Sequence, residues 1–336
     1  MRRVLLAGMN YRGYDERICR DLETFGKACV QLPFKGKAPN AGYNVPLLGR
    51  LTHRLSSVQR REQCEQFVKG DIARALAGGG FDAVLLINPV FLLDRSWIGA
   101  QWPPIYAWLM DPVWRYRQFR ETIAVAKRTF SYDSLDCASF GLTELPLFSL
   151  TSRHSVPFNE RETDFCFIGS LYLERAEALN RIIEFCERNG KSYRFVGDFH
   201  AFTRLARPLM QRRYPKLFSS FEVTRLTPEE CLDSYARSRC VVNFHASGHK
   251  GFSMRTFEAL SCGANILTEL APSGTLDAHF GSRIIVAESN RTLSDSLLAR
   301  CLVQPGKAPS PEAVNDLSLR ARLAALLTAV GDTVHV

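Results

Sequence analysis

The sequence predicts an α/β protein made of two doubly wound, Rossmann-like domains facing each other across a cleft. Three observations carry this. Short apolar runs alternate with amphipathic segments along most of the chain, and such alternation implies parallel sheets covered on both faces. The rhythm lapses once, in the polar stretch SLTSRHSVPFNERET at residues 149–163, and then resumes. The 336 residues suit two domains of roughly 100–200 residues each. The expected division is an N-terminal domain over 1–155, a C-terminal domain over 156–310, and a terminal helix over 311–336 that packs back on the first.

The first domain opens with a strand at Arg3 to Gly8 and a helix from Asp15 to Phe25, capped by Asp15 and stopped at Gly26. A strand over Ala28 to Pro33 leads into an irregular Gly-, Pro- and Asn-rich stretch at 34–57, read as a long functional loop. Gln59 to Ala77 reads as helix. Ala83 to Asn88 and Ile105 to Met110 read as buried strands, the second ending at Asp111. Pro112 to Ala126 is expected to be helical, Arg128 to Tyr132 a short strand, and Glu144 to Leu147 a further edge. In the second domain, strands are expected at Asp164 to Ile168, Tyr193 to Val196, Cys240 to His245 and Arg283 to Ala287. Helices follow the glycine turn at 169 and span Pro228 to Ser238. The basic segment 199–220 reads as loop or helix.

The composition is globular, at 46% hydrophobic and 23% charged residues. The net charge of +9 favours anionic partners such as nucleotides, phosphorylated lipids, a membrane surface or nucleic acid. None of the ten cysteines forms a C-x-x-C pair. Most lie in apolar runs (Cys19, Cys166, Cys186, Cys240, Cys262), and all are expected to be reduced, as in a cytoplasmic protein. No clustered metal ligands are visible. The apolar run after MRR, Val4 to Ala7, is too short for a signal peptide. No run approaches the ~20 residues of a membrane span, so any membrane contact is expected to be peripheral.

The segment GFSMRTFEALSCGANILTE, Gly251 to Glu269, reads as a glycine turn, a short helix and a buried strand. Met254, Phe257 and Leu260 are spaced to form its buried face. Arg255 stands in the first turn, where the helix dipole disfavours a cation, and Glu258 lies three residues on. One reading is a surface ion pair between them. The other gives each charge a ligand. Gly248 and Gly251 allow close backbone approach, amides at the helix start attract a phosphate, and Arg255 then pairs with that anion. Glu258 would accept hydrogen bonds from sugar hydroxyls, as acidic residues do for riboses.

The longer run VVNFHASGHKGFSMRTFEALSCGANILTE, Val241 to Glu269, resembles the nucleotide-binding half of GT-B glycosyltransferases, in the subgroup related to the spore maturation protein CgeB. The matching positions are Gly251, Ser253, Arg255, Phe257, Glu258, Ala259, Cys262, Gly263 and Thr268. FCFIGSLYLERAE, Phe165 to Glu177, is similar to the family's first C-domain strand and glycine turn. Gly169 and Ser170 open its helix, and the resemblance places Arg175 within reach of phosphate. IYAWLMDPVWR and RTFSYDSLDCASFGLTELPL resemble the N-domain pattern. Two departures stand out. Lys250 occupies the place where many retaining relatives carry a second glutamate. Only SLRARLAALL, Ser318 to Leu327, stands where the family often has a terminal His-Thr-Tyr-like motif.

The resemblance implies transfer of a sugar from a UDP-, GDP- or dTDP-linked donor to a glycan, such as a cell-envelope polysaccharide, or to a lipid-linked or other hydroxyl acceptor. The N-terminal domain would be the acceptor side and the C-terminal domain would hold the donor, with no separate cofactor. Loss of the nucleoside diphosphate needs positive charge in a closed site. No D-x-D is present to hold a cation, since Asp133 and Asp136 are spaced D-x-x-D. Arg255, Arg175, Lys250 and helix N-termini are therefore expected to serve without metal. An acceptor hydroxyl needs a general base. Asp111 is the candidate, with an N-cap before Pro-Val-Trp as its alternative role. His249, in the loop GHKG, and Asp15 are further candidates, and His245 reads as a core histidine. The basic stretch Arg204–Lys216 reads either as a solvated face or as a docking site for anionic lipid or a phosphorylated acceptor. The competing readings are a DNA-modifying glycosyltransferase and a non-catalytic sugar-nucleotide-binding or coat protein. Localisation is expected to be cytoplasmic, peripheral at the inner face of the membrane if membrane-associated.

Overall fold

A computed structural model describes residues 1–36, 58–150, 156–199, 207–245, 250–288, 293–305 and 309–332. The chain forms two compact units: Met1–Pro146 together with Leu319–Val336, and Leu147–Ser318. Most of the irregular stretch at 34–57 lies outside the described residues.

Unit 1 carries a six-stranded sheet in the order β2-β1-β3-β4-β5-β6, and every described pairing in it is parallel. It begins with β1 (Arg3–Gly8), α1 (Tyr14–Thr24) and β2 (Ala28–Pro33). A helix, α2, runs over 58–77 and widens to a π-helix at Gln66–Ile72. The central strands β3 (Ala83–Ile87) and β4 (Ile105–Leu109) are buried at every residue, as strands covered on both faces must be. α3 (Phe119–Val125), β5 (Arg128–Ser131), α4 (Ser134–Phe140) and β6 (Thr143–Glu144) complete the sheet.

Three readings change in this unit, besides the cap of α1: Gly13, not Asp15, stands at its N-cap, and Asp15 lies within its first turn. The cysteines are not all free: α1 crosses back over β2, which brings Cys19 and Cys29 to a Cα separation of 5.4 Å, and they are bonded. That separation is typical of disulfides. The helix expected over Pro112 to Ala126 is broken into a single turn, Val113–Arg115, and α3. Asp136 captures the Val113 amide at 2.7 Å, and Tyr116 is extended. The third is α4, which the sequence reading passed over. Asp133 caps it by accepting from Leu135 and Asp136 amides, and Gly141 ends it in the left-handed region. The D-x-x-D pair thus works as a helix cap and a loop clamp.

Unit 2 carries a second six-stranded sheet, ordered β12-β11-β10-β7-β8-β9. Its elements are β7 (Thr163–Ile168), α5 (Leu173–Arg188), β8 (Tyr193–Gly197), α6 (Arg207–Arg213), α7 (Pro215–Ser220), β9 (Phe221–Val223), α8 (Pro228–Ala236), β10 (Ser238–Val242) and α9 (Met254–Ser261). β11 (Asn265–Thr268), α10 (Gly274–Phe280), β12 (Ile284–Val286), α11 (Asp295–Cys301) and α12 (Pro311–Asn315) follow. A core of Phe165, Phe167, Leu179, Ile182, Phe195 and Val242 fills the space beneath α5. α8 starts at a capping box of Thr227 and Glu230, which satisfies two amides at once. The last helix, α13 (Leu319–Ala329), belongs to unit 1. It buries Leu319, Leu323, Leu326 and Leu327, and its Arg320 donates to Thr24 at the end of α1.

Candidate functional site

In unit 2 the chain enters mid-sheet at β7, runs outward through β8 and β9, then jumps to β10 on the other side of β7. Such a reversal leaves a crevice at the carboxyl ends of the two strands, where open parallel sheets bind ligands. Gly169 and Ser170 follow β7. Asn243 and His245 follow β10, and Gly251 and Ser253 lead into α9.

Gly169 leaves room here for a side chain from α9. Its φ is +156°, and a Cβ there would collide with the Arg255 guanidinium. The Arg255 guanidinium therefore lies against the end of β7. It donates to Asn243 Oδ1 at 2.5 Å and sits 5.5 Å from the centroid of the Phe167 ring. Its Nε is buried without a hydrogen-bond partner among the described residues. Arg175 approaches the same ring, 5.7 Å from its centroid. It donates from Nε to the Phe244 carbonyl at 2.7 Å and from a terminal nitrogen to the Ser170 carbonyl at 2.8 Å. One aromatic ring thus has two guanidinium groups near it, each in cation–π range.

α9 departs from the expected amphipathic pattern. Thr256, Phe257, Glu258, Ala259 and Leu260 are all buried, while Met254 is only half-buried. The solvated Arg255–Glu258 pair does not form, because Glu258 is only 4% exposed and Arg255 is turned to Asn243. The cause is that α9 is covered by α8 as well as by the sheet, with the Cys262 thiol reaching the Leu232 carbonyl. Tyr235 of α8 lies among these groups. Its hydroxyl is pushed well above the usual range by burial, with Arg255 opposing and Glu258 adding to the rise.

Asn243 escaped the sequence reading, which took it as part of a strand. The strand stops at Val242, and Asn243 becomes the hub of the crevice. Its Nδ2 donates to Ser253 Oγ at 3.0 Å and Thr256 Oγ1 at 2.7 Å, while its Oδ1 receives Arg255. The available signal was a polar amide directly after an apolar strand. Ser253 stands at the N-cap of α9, yet its hydroxyl makes no cap bond. Gly251 is buried and Lys250 exposed. His249 and Gly248 lie outside the described residues.

In unit 1 the order reverses between β1 and β3. The three described non-glycine residues of positive φ all lie at this switch point: Asn10 and Arg12 after β1, and Asn88 after β3. Asn88 ties β3 to the end of β4: its Oδ1 accepts the Met110 and Asp111 amides, and its Nδ2 donates to Asp111 Oδ2 at 2.8 Å. The other Asp111 oxygen takes Arg115 at 2.8 Å. Burial pushes the Asp111 carboxyl above the usual range, against the pull of Arg115 and Asn88. Asp111 is not a helix cap, since the Val113 amide goes to Asp136. Asp15 is 2% exposed and accepts the Asn10 amide at 2.6 Å. Burial raises its pKa to about 6. Gly8 must lack a side chain to admit it.

Residues 175–323 match a family described as glycosyl transferase-like. No curated protein sequence matches the chain. Solved structures of similar fold include AviGT4, a glycosyltransferase involved in avilamycin A biosynthesis, at 15% identity and a TM-score of 0.56 over 97% of this chain and 93% of that one. The lipopolysaccharide outer core galactosyltransferase WaaB, in its apo form, is similar at 14% identity and 0.56, over 97% and 99% of the two chains. UDP-GlcNAc 2-epimerase from Methanocaldococcus jannaschii, in complex with UDP-GlcNAc and UDP, is similar at 12% identity and 0.53, over 98% and 100%. Identities this low establish shared fold. The chain is therefore a protein of GT-B fold, two doubly wound parallel sheets, whose residues 175–323 match the glycosyl transferase-like family.

Proposed function

We propose that this protein is a glycosyltransferase that binds a nucleotide-sugar in unit 2 and transfers its sugar to a hydroxyl acceptor, a glycan or lipid-linked saccharide. The observation that supports this most is the Arg255–Asn243–Arg175 cluster at the unit 2 switch point, with buried Glu258 one turn along α9. In this reading Arg255 meets the donor diphosphate beside the amides at the start of α9, with Arg175, Lys250, Gly169, Ser170, Gly251 and Ser253 lining the phosphate side. Glu258 receives ribose or sugar hydroxyls. Fixed guanidinium charge then stabilises the departing diphosphate, which is the role preorganised donors play where charge develops, without a metal. Asp111 acts as general base toward the acceptor hydroxyl; its raised pKa moves it toward the range in which a carboxylate works as a base at neutral pH. His249 remains a second candidate for that step. An exposed Leu209, 71% accessible, among Arg207, Arg212 and Arg213 supports contact with an anionic, lipid-bearing surface.

A thermal-shift screen against UDP, GDP, CDP, CMP, dTDP and their sugars tests this. A ligand that binds only the native state stabilises it by RT ln(1 + [L]/Kd), so a binding nucleotide raises the melting temperature. Arg255→Ala is expected to weaken that nucleotide ~10–100-fold, the loss of a charge-assisted contact, and Glu258→Ala similarly, with the far-UV spectrum retained. No shift with any nucleotide sinks the reading. A bound UDP-sugar that is rearranged and never transferred would point instead to the chemistry of the epimerases that share the fold.

A further inference from the structure

At the unit 2 switch point one buried histidine is left unused by this mechanism. His245 follows β10 and is 8% exposed. Its Nε2 accepts the Ser253 amide at 3.3 Å and lies 3.4 Å from Asn243 Nδ2, whose two hydrogens go to Ser253 Oγ and Thr256 Oγ1. The orientation of the Asn243 amide is fixed by Arg255, which can only donate and takes Oδ1. A backbone amide also only donates. The Ser253 amide therefore donates to Nε2, which must carry a lone pair. The ring proton is then on Nδ1, which lies 3.4 Å from Glu269 Oε1 at the end of β11. The same carboxylate oxygen accepts the His245 backbone amide at 2.5 Å. Glu269 thus holds the backbone of the histidine and faces its Nδ1, and the histidine in turn holds the amide of Ser253, the N-cap of α9.

We propose that His245, oriented by Glu269 as the neutral Nδ1-protonated tautomer, is a positioning residue that holds the Ser253 turn in its donor-binding shape, and that protonating it releases the donor. The proposal rests on the reading of α9 as the donor-binding helix. A second proton would put an N–H against the Ser253 N–H, and the Ser253 turn would have to move. The charged groups acting on the ring are Glu269 from β11, Arg175 from α5 and Arg255 from α9. Burial lowers the His245 pKa below 6.5, with Glu269 opposing and the two arginines adding to the fall. The neutral ring is therefore the native form, and its contribution to stability is lost as pH falls from 6.5 toward the lowered value.

Two measurements on the full chain test this. In the first, 15N-histidine labelling reads the His245 ring directly, assigned by its loss in His245→Gln. The expected result is an Nδ1-protonated neutral ring that titrates below 6.5; an Nε2-protonated ring overturns the proposal. In the second, affinity for UDP-N-acetylglucosamine is followed from pH 7.5 to 5. A diphosphate diester does not itself titrate there, so a fall in affinity belongs to the protein. His245→Gln offers a neutral acceptor and is expected to keep the pH 7.5 affinity and lose the fall. His245→Ala is expected to bind ~10-fold more weakly at every pH, the scale of one lost buried hydrogen bond. An unchanged fall in His245→Gln overturns the proposal. An Nδ1-protonated ring in a protein that binds no nucleotide-sugar would overturn the donor reading and its release by protonation, and would leave the Ser253 contact standing as a fold feature only.

Discussion

Asp15 and Asp111 are both carboxyls raised by burial at the same end of one sheet, but their surroundings differ. Asp111 keeps a cation, Arg115, on one oxygen and the Asn88 amide on the other. Among the described residues no cation offsets the burial of Asp15, and Glu16 raises it further. A carboxyl whose folded pKa stands above its unfolded value binds its proton more tightly when folded. Its stabilising effect is therefore present at low pH and fades as pH rises from 3.8 toward about 6. Above that interval the buried charge costs up to about 3 kcal/mol, at 1.36 kcal/mol for each pKa unit. Asp15→Asn keeps an acceptor for the Asn10 amide and removes the charge. Urea unfolding at pH 7.5 is expected to show it about 1–3 kcal/mol more stable than the parent, with the difference shrinking by pH 4. A variant no more stable at pH 7.5 would mean that the carboxylate is better solvated than its burial indicates.

Among the elements, α9 and the end of β7 form a single built piece. Gly169 is one point where they touch, since the Arg255 guanidinium fills the space a Cβ would need. Gly169→Ala is expected to destabilise the chain by about 1–3 kcal/mol, the range for a strained backbone position, as read by urea unfolding followed by circular dichroism. It should also weaken nucleotide binding, because Arg255 must swing away from Asn243. Full stability with undiminished binding would mean that Arg255 adopts another pose. Arg161 shows how an element's role escapes sequence patterns. It lies in the polar stretch read as a domain boundary, yet it is 4% exposed and donates to the carbonyls of Val156, Ser238 and Cys262. Burial and the nearby Arg283 lower its pKa to about 10. A polar run signals a linker only when its side chains are solvated, and that depends on which carbonyls the fold brings to them.

Over the whole molecule, the chain leaves unit 1 at Pro146 and returns to it at Leu319. α13 is thus held to unit 1 by four buried leucines and by Arg320, which also stacks on Phe25. All four tryptophans, Trp97, Trp102, Trp108 and Trp114, fall within unit 1, so tryptophan fluorescence reports on that unit alone. Leu323→Ala empties a fully buried site and is expected to cost about 2–5 kcal/mol, visible as an earlier tryptophan transition in urea. An unmoved transition would detach α13 from the stability of unit 1. No helix among the described residues is long and apolar enough to cross a membrane.

The sequence by itself determined the alternation of strands and helices, the parallel class of both sheets, and the glycine, arginine and glutamate of the α9 region. These are local signals: strand periodicity, a turn residue, or a charge in the wrong turn of a helix. Only the tertiary structure decided what those residues meet. Arg255 meets Asn243 because β10 ends at Val242, three residues before the expected end at His245. Glu269 meets His245 because β10 and β11 are paired in register, with Val242 opposite Leu267. Cys19 meets Cys29 because a helix doubles back over its neighbouring strand. In each case the partners are far enough apart in sequence that no spacing rule links them, and strand register or helix packing brings them within bonding distance.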